Sequence, residues 1–180
     1  GETYSADVSL PAGTHTFVVE YFEAGGEAFI GYSFGTVAGS VNPPPTSPGA
    51  WTAYYFNNPD LSGTPAAIRV DPSPQHDWQR GAPLDGVFAD NFSVRWVSTQ
   101  TFDAGTYRIT VRVDDGVRVY VDGARVIDEW HDASGQTYTA DVNLSAGSHS
   151  LTVEYYDSRN DAFLDWNIRS ATAQPTNTGA

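Results

Sequence analysis

The chain lacks both sulfur-containing residues, with no Cys and no Met among its 180 residues. That absence excludes thiol catalysis, cysteine-ligated zinc and stabilisation by disulfide bonds. Lys is also missing, so all nine basic residues are Arg. A Walker-type phosphate loop, a Schiff-base lysine and a polybasic membrane anchor are therefore excluded. No apolar run approaches the roughly 20 residues that a membrane helix requires.

Positive charge is scarce, because 9 basic residues face 22 acidic ones and leave a formal charge of −13. Binding to a nucleic-acid backbone needs a basic face that releases counterions, and such a face cannot be assembled here. Anionic membrane surfaces are disfavoured for the same reason. The composition predicts a protein with no nucleic-acid partner and no membrane insertion, whose acidic surface keeps it apart from its neighbours.

The residues that are abundant favour β-structure: 17 Gly, 11 Pro and 24 aromatic residues, with the apolar residues in short runs. Alternation of period two predicts strands, because side chains on a strand point to opposite faces in turn. Asp122-Gly123 predicts a type I′ hairpin turn. The strands are predicted at 52–56, 66–70, 92–97, 106–113, 117–121, 124–128, 137–144, 151–156 and 162–168.

Short strands with frequent turn signals predict an all-β fold, an antiparallel β-sandwich or barrel. The long segment from Asp71 to Asp90 contains three prolines. We therefore expect it to wrap the sandwich without joining a sheet.

An internal repeat relates the two ends of the chain. Residues 1–34 align with 135–168 at a shift of 134 without a gap, and 15 of the 34 positions are identical. The segments that follow both copies are rich in Pro, Thr, Ser and Gly, and both end in Gly-Ala. The predicted organisation is 1–34 as the end of a preceding repeat, 35–50 as a linker, 51–169 as a complete domain and 170–180 as a second linker.

Residues 1–34 hold only three short predicted strands, too few to bury an apolar face alone. We expect a neighbouring repeat or subunit to complete them by strand complementation, as in a fibre. The apolar side chains predicted to form this assembly surface are Val8, Phe17, Val19 and Tyr21.

From residue 51 onward the order of motifs resembles one known family. The matching segments are WTAYYFNNPDLSG (51–63), DNFSVRWVS (90–98), AGTYRITVRVDDGVRVYVDGARVIDEW (104–130), LSAGSHSLTVEYYD (144–157) and AFLDW (162–166). They are similar to the protective-antigen-type (PA14) domain, and residues 1–34 resemble the C-terminal part of that domain. The resemblance implies a β-sandwich module found in bacterial toxins, glycosidases, flocculins and adhesins.

The resemblance also implies a calcium site. Sugar-binding members of the family hold Ca²⁺ through two adjacent aspartates joined by a cis peptide, with further ligands from the loop before the last strand. Asp114 and Asp115 match the aspartate pair, and the expected ligands from the second loop are Asp157, Asn160 and Asp161. Two adjacent carboxylates facing an acidic loop suit a cation that takes six to eight oxygen ligands. The alternative is that Asp-Asp-Gly only forms a turn between two strands.

A bound sugar would coordinate Ca²⁺ through its hydroxyls and contact side chains near the ion. Tyr156, predicted to face outward, and Arg159 are the candidate carbohydrate-binding residues. His15 and His149 follow equivalent Ala-Gly turns and are interpreted as structural. The Asn91 and Asn143 sequons and the Thr/Ser-rich linkers are potential glycan acceptors.

Three functions remain open. The leading hypothesis is a non-catalytic extracellular repeat module of a fibre-forming or adhesin-type cell-surface protein, whose partners are copies of itself. The second is a Ca²⁺-dependent carbohydrate-binding module with glycans as partners. The third is an accessory domain of a glycoside hydrolase. We do not expect an enzyme, because no nucleophile elbow is present and an acidic pair alone means little among 22 carboxylates.

Overall fold

The computed structural model describes residues 49–171 together with Val19, Phe22, Gly25, Ile30 and Gly31. Its residue contacts divide the chain into two units, 1–40 and 41–180. Ten strands and no helix occur among the described residues. These residues therefore include no helix that is long and apolar enough to cross a membrane. The strands are β1 (Trp51–Phe56), β2 (Ala67–Asp71), β3 (His76–Gln79), β4 (Phe92–Phe102), β5 (Gly105–Asp114), β6 (Gly116–Val121), β7 (Ala124–Glu129), β8 (Gln136–Leu144), β9 (Gly147–Asp157) and β10 (Ala162–Ser170).

The strands form two antiparallel sheets, which confirms the predicted fold class. The larger sheet has the order β2-β1-β4-β9-β6-β7, and the smaller has the order β3-β10-β5-β8. The longest pairing joins β4 to β9 over eleven residue pairs, from Phe92 opposite Asp157 to Phe102 opposite Gly147. Since β9 also pairs with β6, both of its edges are hydrogen-bonded inside the larger sheet.

The core lies between the sheets and follows the predicted alternation. The central strands β5, β6 and β9 contribute alternate residues, since successive side chains point to opposite faces. The buried rows include Ile109, Val111 and Val113 on β5; Val117, Val119 and Val121 on β6; and Leu151, Val153 and Tyr155 on β9. Trp51, Tyr55, Phe92 and Trp96 from β1 and β4 fill the rest of this layer.

Strand β3 corrects one prediction. The segment from Asp71 to Asp90 was expected to stay outside the sheets, yet His76–Gln79 pairs with β10 as an edge strand. None of the three prolines lies within β3, since two precede it and one follows it, so its own amides are free to pair. Aromatic stacking supplies the attraction, because the Trp78 ring lies 4.8 Å from that of His76 and 6.3 Å from that of Trp96.

A buried polar cluster ties β1, β2 and β4 together. The Asp71 carboxylate is 1% exposed and accepts hydrogen bonds from the Tyr55 hydroxyl and the Trp96 indole, both at 2.8 Å. Arg69 forms an ion pair with the same carboxylate. Burial lowers the pKa of the neighbouring His76, whose Nε2 lies 3.1 Å from the Arg69 guanidinium. Every polar group in this cluster is therefore partnered, as a buried carboxylate requires.

The two poles of the sandwich differ. One carries the connections 57–66, 80–91, 130–135 and 158–161, while the other carries tight turns and both ends of the domain. At the turn pole, Asp122 and Gly123 have φ of 50° and 78°, which confirms the left-handed residues of the predicted hairpin turn.

His149 is structural, as predicted. Its Nδ1 lies 2.6 Å from the Asp122 carboxylate, and its Nε2 lies 3.0 Å from the Ser145 carbonyl. The hydrogen bond to Asp122 raises the pKa of His149 and lowers the pKa of Asp122. Both ring nitrogens are therefore engaged within the turn pole.

Removing the Tyr55 hydroxyl should destabilise the domain, because a buried carboxylate loses one of its donors. We expect Tyr55→Phe to lower the free energy of unfolding by about 1–3 kcal/mol in urea denaturation. Tyr54→Phe, which changes the neighbouring residue on the opposite face of β1, is the matched control and should cost less than about 0.5 kcal/mol. Equal effects of the two variants would contradict the role given to the Asp71 cluster.

Candidate functional site

An open pocket of about 640 Å³ lies at the pole that carries the longer loops. Its walls come from the end of β3, the β5–β6 junction, and the loops before β8 and β10. The lining residues are Arg80, Asp114, Asp115, Asp132, Ala133, Ser134, Gln136, Ser158, Arg159, Asn160 and Asp161.

The aspartate pair lies at the junction of β5 and β6, where Asp114 is the last residue of β5 and Asp115 connects it to β6. The two residues are joined by a cis peptide bond. One carboxylate oxygen of Asp115 accepts the Ala133 N–H at 3.2 Å, and the other accepts the Ser158 N–H at 2.8 Å. The Asp114 carbonyl accepts a hydrogen bond from the Tyr155 hydroxyl. The pair is thus joined to both neighbouring loops and to the core.

Electrostatics at the pair disfavour its negative charge. Burial, and then the charge of Asp115, raise the pKa of Asp114, while a hydrogen bond with Ser134 opposes the rise. Burial also raises the pKa of Asp115, against the effect of its two backbone N–H donors. Two carboxyls that lose water and repel one another favour a proton or a cation beside them.

Asp157 is buried without a side-chain partner. It continues the inward row of β9 after Leu151, Val153 and Tyr155, and it is 0% exposed. Neither carboxylate oxygen has a hydrogen bond of good geometry within the part of the chain that the structure describes. Burial, followed by the charges of Asp115, Asp90 and Asp114, raises its pKa to about 7, and the Asn91 backbone acts in the opposite direction. A carboxylate in this position calls for a countercharge.

The remaining predicted ligands lie in the loop 158–161. Asn160 has a left-handed backbone with φ of 77°, and its N–H donates to the Asp90 carboxylate at 2.8 Å. Asp161 pairs with Arg80 across the pocket, with Nε and Oδ1 3.2 Å apart. Arg159 also lines the pocket, where its charge favours the ionised form of Asp115.

The structure therefore brings most of the predicted site residues together. Asp114, Asp115, Arg159, Asn160 and Asp161 share one pocket. Asp157 is absent from the pocket wall and lies buried, close enough to the pair to be affected by both charges.

These residues offer oxygen donors but no ready-made cage. Within residues 49–171, no three His, Asp or Glu side chains converge as a metal-binding group. The available donors are the carboxylates of Asp114, Asp115, Asp157 and Asp161 and the Asn160 side-chain amide, all hard oxygen ligands of the kind that Ca²⁺ prefers. The buried carboxylate of Asp157 lacks a side-chain partner and is affected by the charges of Asp114 and Asp115, which fits a cation at this pole.

Tyr156 lies on the outer face of the larger sheet, the face that alternation assigns to it, but it is buried there rather than exposed. Its side chain is 8% exposed and packs against Trp130, with ring centroids 4.8 Å apart. The outer face of the larger sheet is covered here by the segment that follows β7, so an outward position is still buried. The hydroxyl nevertheless reaches the pocket wall, because it donates to the Asp132 carboxylate at 2.8 Å.

Three of the four predicted assembly residues, Val8, Phe17 and Tyr21, lie outside the described residues. Val19 is described, and 53% of it is exposed in the single chain. Its exposure leaves its predicted role in assembly open to experiment.

Sequence reasoning missed five polar residues of the pocket: Arg80, Asp132, Ser134, Gln136 and Ser158. Asp132 and Ser134 lie shortly after the VIDEW segment (126–130). Antiparallel pairing of the strand after them with β5 places their loop beside the aspartate pair. No comparable signal marks Arg80, because its position depends on β3 joining the smaller sheet.

Comparison with known proteins identifies relatives of this domain. The family model described as PA14 domain matches residues 46–176. The chain is 36% identical over 104 residues to the anti-sigma-I factor RsgI3 of Acetivibrio thermocellus, which covers 57% of this chain and 16% of that protein. A solved anti-sigma factor domain-containing protein superposes with a TM-score of 0.64 at 32% identity, covering 69% of this chain and 44% of its own.

A third relative shares the fold at lower identity. The PA14 sugar-binding domain from an RTX adhesin superposes with a TM-score of 0.56 at 18% identity, over 69% of this chain and 91% of that domain. The chain thus spans less than half of the anti-sigma relatives, whereas it spans nearly the whole of the adhesin domain.

Asp157→Asn should stabilise the metal-free domain. In the presence of a chelator at pH 8.5, the buried Asp157 carboxylate is ionised, and the rise in its pKa destabilises the folded domain by about 4 kcal/mol. We therefore expect Asp157→Asn to raise the free energy of unfolding by roughly 2–4 kcal/mol. The raised folded pKa makes this gain largest above pH 7 and makes it vanish as the pH falls toward 4. Chemical denaturation measures it, and Asp103→Asn, an exposed change at the opposite pole, should have almost no effect. A less stable Asp157→Asn would contradict this account of the buried carboxylate.

Proposed function

The chain belongs to the PA14 domain family, and from this premise we propose that it is a non-catalytic, Ca²⁺-dependent carbohydrate-binding module. The observation that carries the proposal is the buried Asp157 carboxylate, which lacks a side-chain partner and is affected by the charges of Asp114 and Asp115. All three carboxyls have raised pKa values, chiefly because burial disfavours their charge. A bound cation is the simplest group that offsets this repulsion.

The ligands in this proposal come from two loops. Asp114 and Asp115 supply carboxylates from the β5–β6 junction, and Asp157, Asn160 and Asp161 supply oxygens from the end of β9 and the loop after it. When bound, Ca²⁺ supplies coordination positions for vicinal sugar hydroxyls. Arg159 contributes hydrogen-bond donors at the rim. We infer an extracellular or cell-surface location, where modules with millimolar Ca²⁺ affinity operate.

The proposal is supported by the fold shared with a PA14 sugar-binding domain of an RTX adhesin. The chain spans only part of the anti-sigma relatives, so their activity as whole proteins is not transferred to it.

Calorimetry with Ca²⁺ tests the metal. We expect the wild-type chain to bind Ca²⁺ with a dissociation constant between about 10⁻⁵ and 10⁻³ M, and Asp115→Asn to bind at least about ten-fold more weakly, because it loses a charged oxygen ligand. Asp103→Asn, at the opposite pole, should match the wild type. Equal heats for the wild type and Asp115→Asn would remove the metal from the proposal.

Binding to an immobilised glycan array tests the carbohydrate role. We expect the wild-type chain to bind glycans on the array and to lose this binding when a chelator is added.

A second candidate function, assembly through residues 1–34, has its own supporting observation. The inward positions of β8, β9 and β10 correspond by the repeat to apolar or aromatic residues, except that His149 and Asp157 correspond to His15 and Glu23. The apolar and aromatic counterparts are Tyr4, Ala6, Val8, Leu10, Phe17, Val19, Tyr21, Ala28, Ile30, Tyr32 and Phe34. We propose that residues 1–34 carry the core side chains of a C-terminal sheet segment and complete a neighbouring copy or repeat in a fibre or adhesin stalk.

Sedimentation velocity of the full chain tests this assembly. If Val19 is buried against a neighbouring chain, the protein forms oligomers whose population rises with concentration. Val19→Asp should weaken these oligomers, because burying an unpaired charge costs free energy. Val70→Asp is the matched control, because Val70 is an exposed valine on the edge strand β2 of the complete domain. A wild-type chain that stays monomeric at millimolar concentration, or oligomers indifferent to Val19→Asp, would contradict it.

A further inference from the structure

Tyr156 is held in one position by a glycine on the next strand. Gly116 pairs with Tyr156 across β6 and β9. A Cβ at Gly116 would lie 2.2 Å from the Tyr156 ring, so only glycine lets the ring lie against the backbone of β6. Trp130 covers the ring, and the Arg118 guanidinium lies 4.4 Å from the Trp130 ring. The glycine of the Asp-Asp-Gly motif therefore provides space for an aromatic ring.

This fixed ring places its hydroxyl against the pocket wall. The Tyr156 hydroxyl donates to Oδ1 of Asp132 at 2.8 Å. The next residue, Ala133, donates its N–H to Asp115, and the Gly135 N–H donates to the Val113 carbonyl at 2.9 Å. The loop that carries Asp132 is thus attached at three points, once to β9 and twice to β5 and the β5–β6 junction, which carry the aspartate pair.

Asp132 differs from the proposed calcium ligands in how it is held. It belongs to the loop before β8, away from both segments that supply those ligands, and its side chain is exposed in the pocket. A carboxylate offers about four lone-pair positions, and the Tyr156 hydroxyl uses one of them. The remaining positions are acceptors for hydroxyl donors, and charged acceptors form hydrogen bonds about twice as strong as neutral ones.

From this arrangement we propose that Asp132 is a specificity-determining residue that accepts hydrogen bonds from hydroxyls of a neutral sugar ring, and that Tyr156 and Gly116 are positioning residues for it. The inference rests on the proposed carbohydrate-binding function. A site built to accept hydrogen bonds from particular hydroxyls rejects a ring that lacks them or presents them in another orientation. Asp132 therefore discriminates between hexoses that bind the same cation equally well.

Calorimetry on the full chain separates the two kinds of binding. Ca²⁺ alone is titrated first, and the methyl glycosides of glucose, galactose, mannose and fucose are then titrated at saturating Ca²⁺. We expect Asp132→Asn and Tyr156→Phe to keep Ca²⁺ affinity within about two-fold of the wild type. Asp132→Asn should lower affinity for the preferred glycoside by about ten-fold and reduce the preference among the four, because a charged acceptor is lost.

Tyr156→Phe retains the ring that packs on Gly116 and loses only the hydroxyl. We expect the same change in preference with a smaller loss, about three-fold, while the near-ultraviolet circular dichroism of the packed Trp130 stays unchanged. Asp103→Asn and Tyr107→Phe are the matched controls, since the Tyr107 hydroxyl donates to the Asp103 carbonyl at the opposite pole. Both should leave every affinity unchanged.

Three results would overturn the inference. Asp132→Asn with unaltered affinity and preference would show that Asp132 does not contact the sugar. An equal loss of Ca²⁺ affinity would make Asp132 a metal ligand, and the proposed function would stand without this role. A wild-type chain that binds Ca²⁺ but none of the four glycosides would refute the assignment to neutral hexoses, and failure on the glycan array as well would refute the carbohydrate-binding function.

Discussion

The pairing of β9 with strands on both sides is the constraint on which the rest of the structure depends. Because β9 is hydrogen-bonded along both edges, its register decides which side chains enter the core. The inward row ends on Asp157, and the outward row ends on Tyr156. One strand thereby places a buried carboxylate behind the pocket and a tyrosine hydroxyl at its wall. A shift of one residue would exchange the two faces and remove both features.

The pocket brings several carboxylates together, whereas ion pairs with Arg neutralise some of the carboxylates on the strands. On the strands, Arg95 and Glu154 form an ion pair, as do Arg108 and Asp141. At the pocket, Asp115 is held by backbone N–H groups and Asp157 by no side chain among the described residues. Backbone N–H groups partly stabilise the negative charges of Asp115 and Asp157, but the pKa values of both carboxyls remain raised. This imbalance supports the proposed binding site over an acidic surface that only maintains separation from other molecules.

The sequence was sufficient for the sandwich and for five of the eleven residues that line the pocket. Alternation located nine strands, because half-buried antiparallel strands carry a strong period-two signal. Strand β3 escaped detection, since four residues with a histidine and a tryptophan hold too few alternating positions, and stacking on Trp96 decides their place. The burial of Tyr156 was missed because alternation assigns a face but does not show what covers it. Asp132 lies near the aspartate pair only through pairing between strands distant in sequence. Asp157 was assigned to the loop, whereas it ends β9 as a buried residue, although its inward parity is readable from Leu151, Val153 and Tyr155.

Both ends of the domain leave from the pole opposite the pocket, since β1 begins and β10 ends there. A chain tethered at one pole presents its binding surface from the other, so a linker on either side does not have to pass across the mouth of the pocket. In a string of such domains, weak individual contacts with a polysaccharide would combine through high local concentration. Strong retention on a surface then requires only modest affinity at each domain, and single domains can release and rebind without detachment of the whole.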